Sequence, residues 1–172
     1  MLGYLGNIMS QVRAWLMTGD VQKLVVVVAG IDSGETLERW QFNVSADDDV
    51  AAGTNSGSND ENNKPTLNLS SSVSAVSDKV KAKKSIKEIN NEIQAIIRQI
   101  TASVTFLPLL SEPCSFDLLV YTHRDATVPQ KWHDSDPRYI MNSSEVKLRS
   151  FTTSIHKVDT MVTYKEADEW EL

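Results

Sequence analysis

Residues 85–107 read SIKEINNEIQAIIRQITASVTFL, and this stretch decides the fold class. Its apolar residues recur at three- and four-residue spacing, so on a helix they fall within an arc of roughly 100°, the width of a face packed on a core. They are Ile86, Ile89, Ile93, Ile96, Ile97, Ile100 and Val104. Ser85 and Glu88 have the spacing of a capping box, and Pro108 cannot continue a helix. The sequence predicts an amphipathic helix whose polar face is available to a partner; that face carries Lys87, Asn91, Gln94, Arg98 and Gln99.

Two predicted strands precede this helix. Residues 21–29 include the unbroken apolar run LVVVV at positions 24–28, which is typical of a strand covered on both faces. Residues 36–44 alternate instead, with Trp40, Phe42 and Val44 on one face and Arg39, Gln41 and Asn43 on the other. The turn residues of GIDSGE (30–35) lie between them. We expect an antiparallel hairpin that the isoleucine-rich helix covers.

The chain starts within an apolar pattern of helical spacing. Leu2, Leu5, Ile8, Met9, Val12, Trp15 and Leu16 form this pattern, and Gly19 supplies a C-terminal stop. No capping residue precedes it. We therefore expect that an upstream segment is missing from the sequence.

Residues 45–84 differ from the rest in composition. Asp, Asn, Ser, Gly and Lys dominate there, and no aromatic residue occurs. Such a segment cannot bury enough apolar surface to offset its ordering entropy. The sequence predicts a disordered insertion within one domain.

A third strand and a β-prone tail follow the helix. Residues 114–122 (CSFDLLVYT) form a good strand pattern after Pro113. Residues 138–164 are rich in Thr, Val, Ile and Ser, but their alternation is imperfect and large apolar residues are few. We expect this tail to form strands at a sheet edge, with a weakly specified place in the core.

Composition excludes several classes of function. The 172 residues fit one domain, and the net charge of −6 without a continuous basic face argues against a nucleic-acid partner. No apolar run approaches the ~20 residues of a membrane span. Cys114 is the single cysteine, which excludes an internal disulfide and fits a reducing compartment, the nucleus or cytoplasm. The sequence predicts no cofactor, no membrane and no nucleic acid.

Enzymatic motifs are weak. His123, His133 and His156 lack the spacing of metal ligands, so we interpret them as surface or strand-end residues. The run Asp32-Ser33-Gly34 after a hydrophobic strand also opens the active loop of aspartic proteases, which need a second carboxylate. A hairpin turn explains these residues better, so we predict that the chain is not an enzyme.

Several stretches together resemble the spindle-checkpoint branch of the HORMA-domain family. They are QKLVVVV (22–28), LERWQF (37–42), IRQI (97–100), VTFLPLL (104–110), CSFDLL (114–119), KW (131–132) and LRSFTTSIHK (148–157). The resemblance covers most of residues 1–164 outside the insertion. It implies an α+β HORMA domain with an antiparallel or mixed sheet covered by helices on one face and a mobile C-terminal safety belt at residues 132–172.

The family resemblance also implies an adaptor function. An extended motif adds to the sheet edge, and the belt closes over it; without a guest, the belt occupies the guest's place. The implied partners are a WD40-class activator of the anaphase-promoting complex, a coiled-coil kinetochore receptor and a second copy of the chain. The implied location is the nucleus, the kinetochore and the cytoplasm.

The implied sites fall into three groups. We assign the guest to the third strand: Ser115, Phe116, Asp117, Leu118, Leu119, Val120 and Tyr121. The belt residues are Trp132, Phe151, Ile155, His156, Val158 and Tyr164, with Trp132 either an anchor of the belt or an ordinary core residue. Self-association is assigned to Arg98, Gln99 and Phe106.

The sequence departs from the family pattern at its start, where the family's N-terminal strand, long helix and hairpin are expected and not found. The insertion is also longer than the family's loop. Two alternatives therefore stand beside the checkpoint adaptor. One is a HORMA adaptor of a translesion polymerase or of the meiotic chromosome axis, and the other is a truncated, inactive paralogue.

Overall fold

The structure, a computed structural model, describes residues 2–46 and 84–166. Its elements, in chain order, are helix α1 (Leu2–Thr18), strands β1 (Val21–Gly30) and β2 (Thr36–Ala46), helix α2 (Ile86–Ala102), a 3₁₀ turn (Ser103–Thr105), and strands β3 (Cys114–Thr122), β4 (Ser143–Lys147), β5 (Phe151–Thr152) and β6 (His156–Lys165). Neither helix is long and apolar enough to cross a membrane, within the residues described.

The six strands form one sheet with the order β3-β1-β2-β6-β4. The short strand β5 pairs with Lys157 and Val158, near the start of β6. All the pairings are antiparallel. Because β3 and β4 lie at opposite margins, the chain between them, residues 123–142, must cross the sheet. We call this stretch the crossing segment.

Local sequence signals explain both helices. Gly19 ends α1 in the left-handed region (φ 76°), as its position predicted. At α2, the Ser85 hydroxyl accepts a hydrogen bond from the Glu88 amide, and the Ser85 amide donates to Glu88 Oε2 at 2.8 Å. The predicted capping box is therefore confirmed.

The second helix ends sooner than its apolar pattern predicted. The Ser103 amide is shared between the carbonyls of Gln99 and Ile100, and its hydroxyl bonds to Ile100 O at 2.6 Å. This tightens the chain into the 3₁₀ turn before Pro108 is reached.

The β1–β2 hairpin is confirmed, and its turn is held from outside. The Glu112 carboxylate accepts hydrogen bonds from the amides of Asp32 and Ser33 and from Ser33 Oγ, the last at 2.6 Å. These bonds from Ser33 and Asp32 lower the pKa of Glu112 below its usual range. The Asp-Ser-Gly run thus serves as a turn that anchors the chain entering β3.

The two faces of the sheet are covered unequally. On one, which we call the belt face, Val25 and Val27 are 0% exposed. On the other, the helix face, Leu24, Val26 and Val28 are only half-buried. The prediction that β1 is covered on both faces is therefore wrong for the helix face.

Helix α2 likewise buries only part of its apolar stripe. Ile96 is buried, whereas Ile97 and Val104 are 56% and 76% exposed. The helix is held at the β5 side of the sheet by a hydrogen bond from the Thr152 amide to Glu92. It therefore turns only one edge of the stripe towards the strands.

The tail is better committed to the core than its composition predicted. Strand β6 lies inside the sheet, between β2 and β4, rather than at its edge. Val158, Thr160 and Val162 alternate along β6 and are at most 9% exposed. Their side chains lie on the same face of the sheet as Trp40 and Phe42 of β2, which pair with Val162 and Thr160.

The insertion is shorter than predicted, because residues at both of its predicted ends belong to the folded domain. Ser45 and Ala46 extend β2 and pair with Lys157 and His156 of β6. Lys84 forms an ion pair with Glu92 at the start of α2. The rest of the predicted disorder, residues 47–83, lies outside the described residues.

Candidate functional site

Strand β3 offers an exposed margin of main chain. It pairs with β1 from Cys114 to Thr122, and no other strand in residues 2–46 and 84–166 pairs with its outer side. Such an edge presents unpaired amides and carbonyls that another extended chain can use. All seven residues assigned to the guest from the sequence, 115–121, lie on this strand.

A cleft of about 920 Å³ runs beside this edge. Its walls come from three separate parts of the chain: the first half of α1, the middle of β3 and the crossing segment. The lining residues are Asn7, Ile8, Gln11, Asp117, Leu118, Leu119, Pro129, Lys131, Trp132, His133, Ser135 and Arg138. The cleft thus lies where a strand added to β3 would meet the crossing segment.

Trp15 fixes the crossing segment to α1. Its Nε1 donates to Thr127 O at 3.0 Å, and its ring meets Trp132 edge to face, with the ring centroids 5.0 Å apart. Trp15 is 4% exposed. Of the two roles that the sequence left open for Trp132, the structure shows packing against another element rather than burial within the sheet.

Arg39 binds the crossing segment from the belt face of the sheet. The side chain is 6% exposed, on the belt face of β2. Its Nε donates to Pro137 O at 3.2 Å, Nη1 donates to Gln41 Oε1 at 2.8 Å, and the guanidinium lies 5.2 Å from the centroid of the Tyr139 ring. Carbonyl, amide and aromatic groups thus stabilise a buried cation.

The three residues assigned to self-association differ in their contacts within the fold. Arg98 is exposed, and its contact is with Gln94 one turn earlier, at 3.4 Å. Gln99 Oε1 instead accepts a hydrogen bond from the Arg149 amide at 2.8 Å. Phe106 packs against Tyr164 of β6, with ring centroids 6.1 Å apart. Gln99 is therefore not on the open polar face that the sequence predicted.

A further contact on α2 lies on the side of the helix that carries Gln99. Glu92 and Gln99 are seven residues apart on α2, so they lie on one side of it. Glu92 accepts from the Thr152 amide at 3.0 Å and pairs with Lys84, whose Nζ also donates to Thr152 Oγ1 at 2.6 Å. Hydrogen bonding from Lys84, and then from Thr152, lowers the pKa of Glu92.

Except for Trp132, which lines the cleft, the residues assigned to the belt lie towards the margin of the sheet opposite β3. Phe151 in β5 pairs with Val158 in β6. His156 begins β6, Ile155 is 49% exposed in the turn before it, and Tyr164 is near its end. Because β6 pairs with β2, the tail and the outer margin of β3 do not compete for space.

This topology is typical of a known family. A model of the HORMA domain matches residues 1–156. The chain belongs to the HORMA-domain family. The HORMA domain here is similar to the mitotic spindle assembly checkpoint protein MAD2A of Dictyostelium discoideum, at 51% identity over 166 residues, with 96% of this chain and 69% of that protein covered. Human MAD2A is 48% identical over 165 residues, 96% of this chain and 68% of that protein.

Solved HORMA structures agree. A chain in the crystal structure of the mitotic checkpoint complex superimposes with a TM-score of 0.70 at 39% identity, covering 95% of this chain and 73% of that one. HTP-2 of Caenorhabditis elegans bound to the HIM-3 closure motif gives a TM-score of 0.53 at 12% identity, covering 90% and 64%. The second match shows the fold alone.

Sequence reasoning missed four residues of this site: Trp15, Arg39, Glu92 and Arg138. Trp15 and Arg39 were assigned to the correct faces of their elements, but no local pattern shows which distant segment covers them. The described residues contain no group of three or more His, Cys, Asp or Glu side chains that could hold a metal ion.

Proposed function

We propose that this HORMA domain is a spindle-checkpoint adaptor that captures an extended protein segment as an added strand on β3. The observation that carries the proposal is the unpaired outer margin of β3 beside the cleft, with the tail paired on the opposite side of the sheet. Strand addition takes affinity from main-chain hydrogen bonds, each contributing about 1 kcal/mol net. Alternate side chains of the guest would enter the cleft.

The C-terminal region, residues 132–172, acts in this proposal as a belt. A guest lying on β3 would be enclosed between the edge and the crossing segment, which Trp15 and Arg39 hold down. Release then requires local opening of the crossing segment, so dissociation is slower than the contact area alone implies. In the alternative arrangement, the tail occupies β3 and excludes the guest.

The names of the relatives support the checkpoint branch. The partners we propose are a WD40-class activator of the anaphase-promoting complex and a coiled-coil kinetochore receptor, with action at the kinetochore, in the nucleus and in the cytoplasm. The meiotic-axis alternative is less well supported, because the relatives at 51% and 48% identity are named as spindle-checkpoint proteins.

Self-association through α2 is the second part of the proposal. Arg98 is exposed and Phe106 is 41% exposed, so both offer surface to another copy in this arrangement. Gln99 and Phe106 are engaged by Arg149 and Tyr164. We infer that a change in the position of the tail alters the surface that a second copy meets.

Backbone-modified peptides test strand addition directly. A synthetic peptide with the activator's motif would be N-methylated at alternate residues in two series, even and odd. One series should lose binding to the full chain in calorimetry because its methyl groups replace the amides that face β3. The other series, with the same side chains, should bind like the unmodified peptide. Equal loss in both series, or no binding of the unmodified peptide, would refute capture by strand addition.

A further inference from the structure

The crossing segment approaches β3 at one row of the belt face. Val27 of β1 is paired with Arg39 of β2 on one side and with Asp117 of β3 on the other. These three side chains therefore lie in a line across the strands. Val27, at the centre of the row, is 0% exposed. Pro137 and Arg138 contact the two ends of the row, at Arg39 and Asp117 respectively.

A tight turn at residues 136–138 fits across the row. Asp136 Oδ1 accepts a hydrogen bond from the Arg138 amide at 2.8 Å, which fixes the turn internally. The carbonyl of Pro137 meets Arg39 Nε. Arg138 itself has a φ of 52°, in the left-handed region that arginine rarely adopts. Such a conformation persists only where the surroundings determine it, so the direction of the Arg138 side chain is set by the turn.

The turn directs Arg138 onto the edge strand. Its Nη2 lies 3.3 Å from Asp117 Oδ2, and both residues line the cleft. The two side chains are 32% and 59% exposed, so the ion pair is accessible to salt. One end of the row is thus tied by Arg39 and the other by Asp117, with the turn between them.

We propose that the Arg138–Asp117 pair is a clasp that joins the crossing segment to β3 and limits how often the cleft opens. This inference rests on the proposed function for its consequence, namely slower departure of a bound guest. Arg138 is a positioning residue in this proposal: it restrains the segment that encloses the guest. An exposed pair of this kind changes rates by about two- to fivefold.

The first test needs no guest. Hydrogen exchange at the amides of residues 130–136 and 138 would be measured on the full chain, free in solution, for the wild type, Arg138→Gln and Asp117→Asn. Both variants should exchange about two- to fivefold faster there, and the double charge swap Asp117→Arg with Arg138→Asp should restore protection. Arg124→Gln is the matched control because it removes the same charge from an exposed position of the same segment. Unchanged exchange in both single variants would overturn the clasp.

The second test measures the guest's departure. A fluorescent peptide with the activator's motif would be bound, and its dissociation followed after dilution into unlabelled peptide. Arg138→Gln should release it about two- to fivefold faster than the wild type or Arg124→Gln. High salt should accelerate release from the wild type and change release from Arg138→Gln less. Equal release rates would overturn the proposal. If the wild-type chain binds no peptide, the proposed function fails and the exchange experiment alone decides the clasp.

Discussion

The indole of Trp15 in α1 meets the indole of Trp132 in the crossing segment edge to face, with ring centroids 5.0 Å apart. The two residues are separated by most of the chain, and Trp132 also lines the cleft beside β3. This contact makes the stability of the crossing segment depend on α1.

Replacing Trp132 with alanine should loosen the crossing segment. Loss of the edge-to-face contact and of the buried area should lower the free energy of unfolding by about 2–3 kcal/mol, less than for a fully buried tryptophan. Urea unfolding measures this change. Trp132→Phe is the matched control and should keep more than half of the stability that Trp132→Ala loses. Equal losses in the two variants would show that the aromatic contact contributes little.

Arg39 should tolerate neither alanine nor lysine. Arg39→Ala removes the hydrogen bond to Pro137 O and the contact with Tyr139, so we expect a loss of about 2–3 kcal/mol and faster amide exchange at residues 136–140. Arg39→Lys should recover little, because an ammonium cannot reproduce the fork of the guanidinium. Arg13→Ala, at an exposed position of α1, controls for the loss of charge. A fully stable Arg39→Lys variant would contradict this assignment.

Acid should loosen the tail from α2 through Glu92. Its pKa is lowered in the folded chain by hydrogen bonds from Lys84 and Thr152, so Glu92 stabilises the fold at pH values above its ordinary value of 4.5. That stability is lost as the pH falls through the lowered pKa. The free energy of unfolding, measured between about pH 3 and pH 7, should therefore depend less on pH in Glu92→Gln than in the wild type.

The matched control for Glu92 is Glu145→Gln, which removes the same charge from an exposed position of β4. Its unfolding curve should follow that of the wild type across the same pH range. If Glu92→Gln and Glu145→Gln were alike, the contact with Thr152 would not be a source of the acid sensitivity.

Charge reversal on α2 should separate self-association from guest binding. Arg98→Glu should abolish dimers in sedimentation experiments because Arg98 is exposed on the surface that we assign to a second copy. Binding of the activator's motif peptide should stay intact, since neither β3 nor the lining of the cleft contains an α2 residue. Arg13→Glu makes the same charge change at an exposed position of α1 and should leave the dimer unchanged. A normal dimer of Arg98→Glu would refute the assignment.

Much of the secondary structure was accessible from the sequence because its causes are local. The capping box of Ser85 and Glu88, the stop at Gly19 and the limits of β3 all depend on residues within a few positions of one another. The hairpin turn at Asp32 and Ser33 follows from the same kind of signal. The binding of this turn by Glu112 has no such local signal.

Burial was predicted less well for the same reason. The apolar stripe of α2 indicated which side is apolar, but the exposure of Ile97 and Val104 depends on how the helix is held against β5. The tail was judged weakly committed because it has few large side chains. In the sheet, Val162 is nonetheless fully buried, because the fold places it inside the sheet beside Trp40 of β2.

The sequence by itself determined the helices, the hairpin, the third strand and the family, because periodicity, caps and turns act between near neighbours. Only the tertiary structure decided that β6 pairs with β2 and leaves the outer margin of β3 unpaired. It alone brought Pro137 to Arg39 and Arg138 to Asp117. These contacts depend on strand register and on the path of the crossing segment, and residues so far apart in the chain leave no local pattern of their pairing.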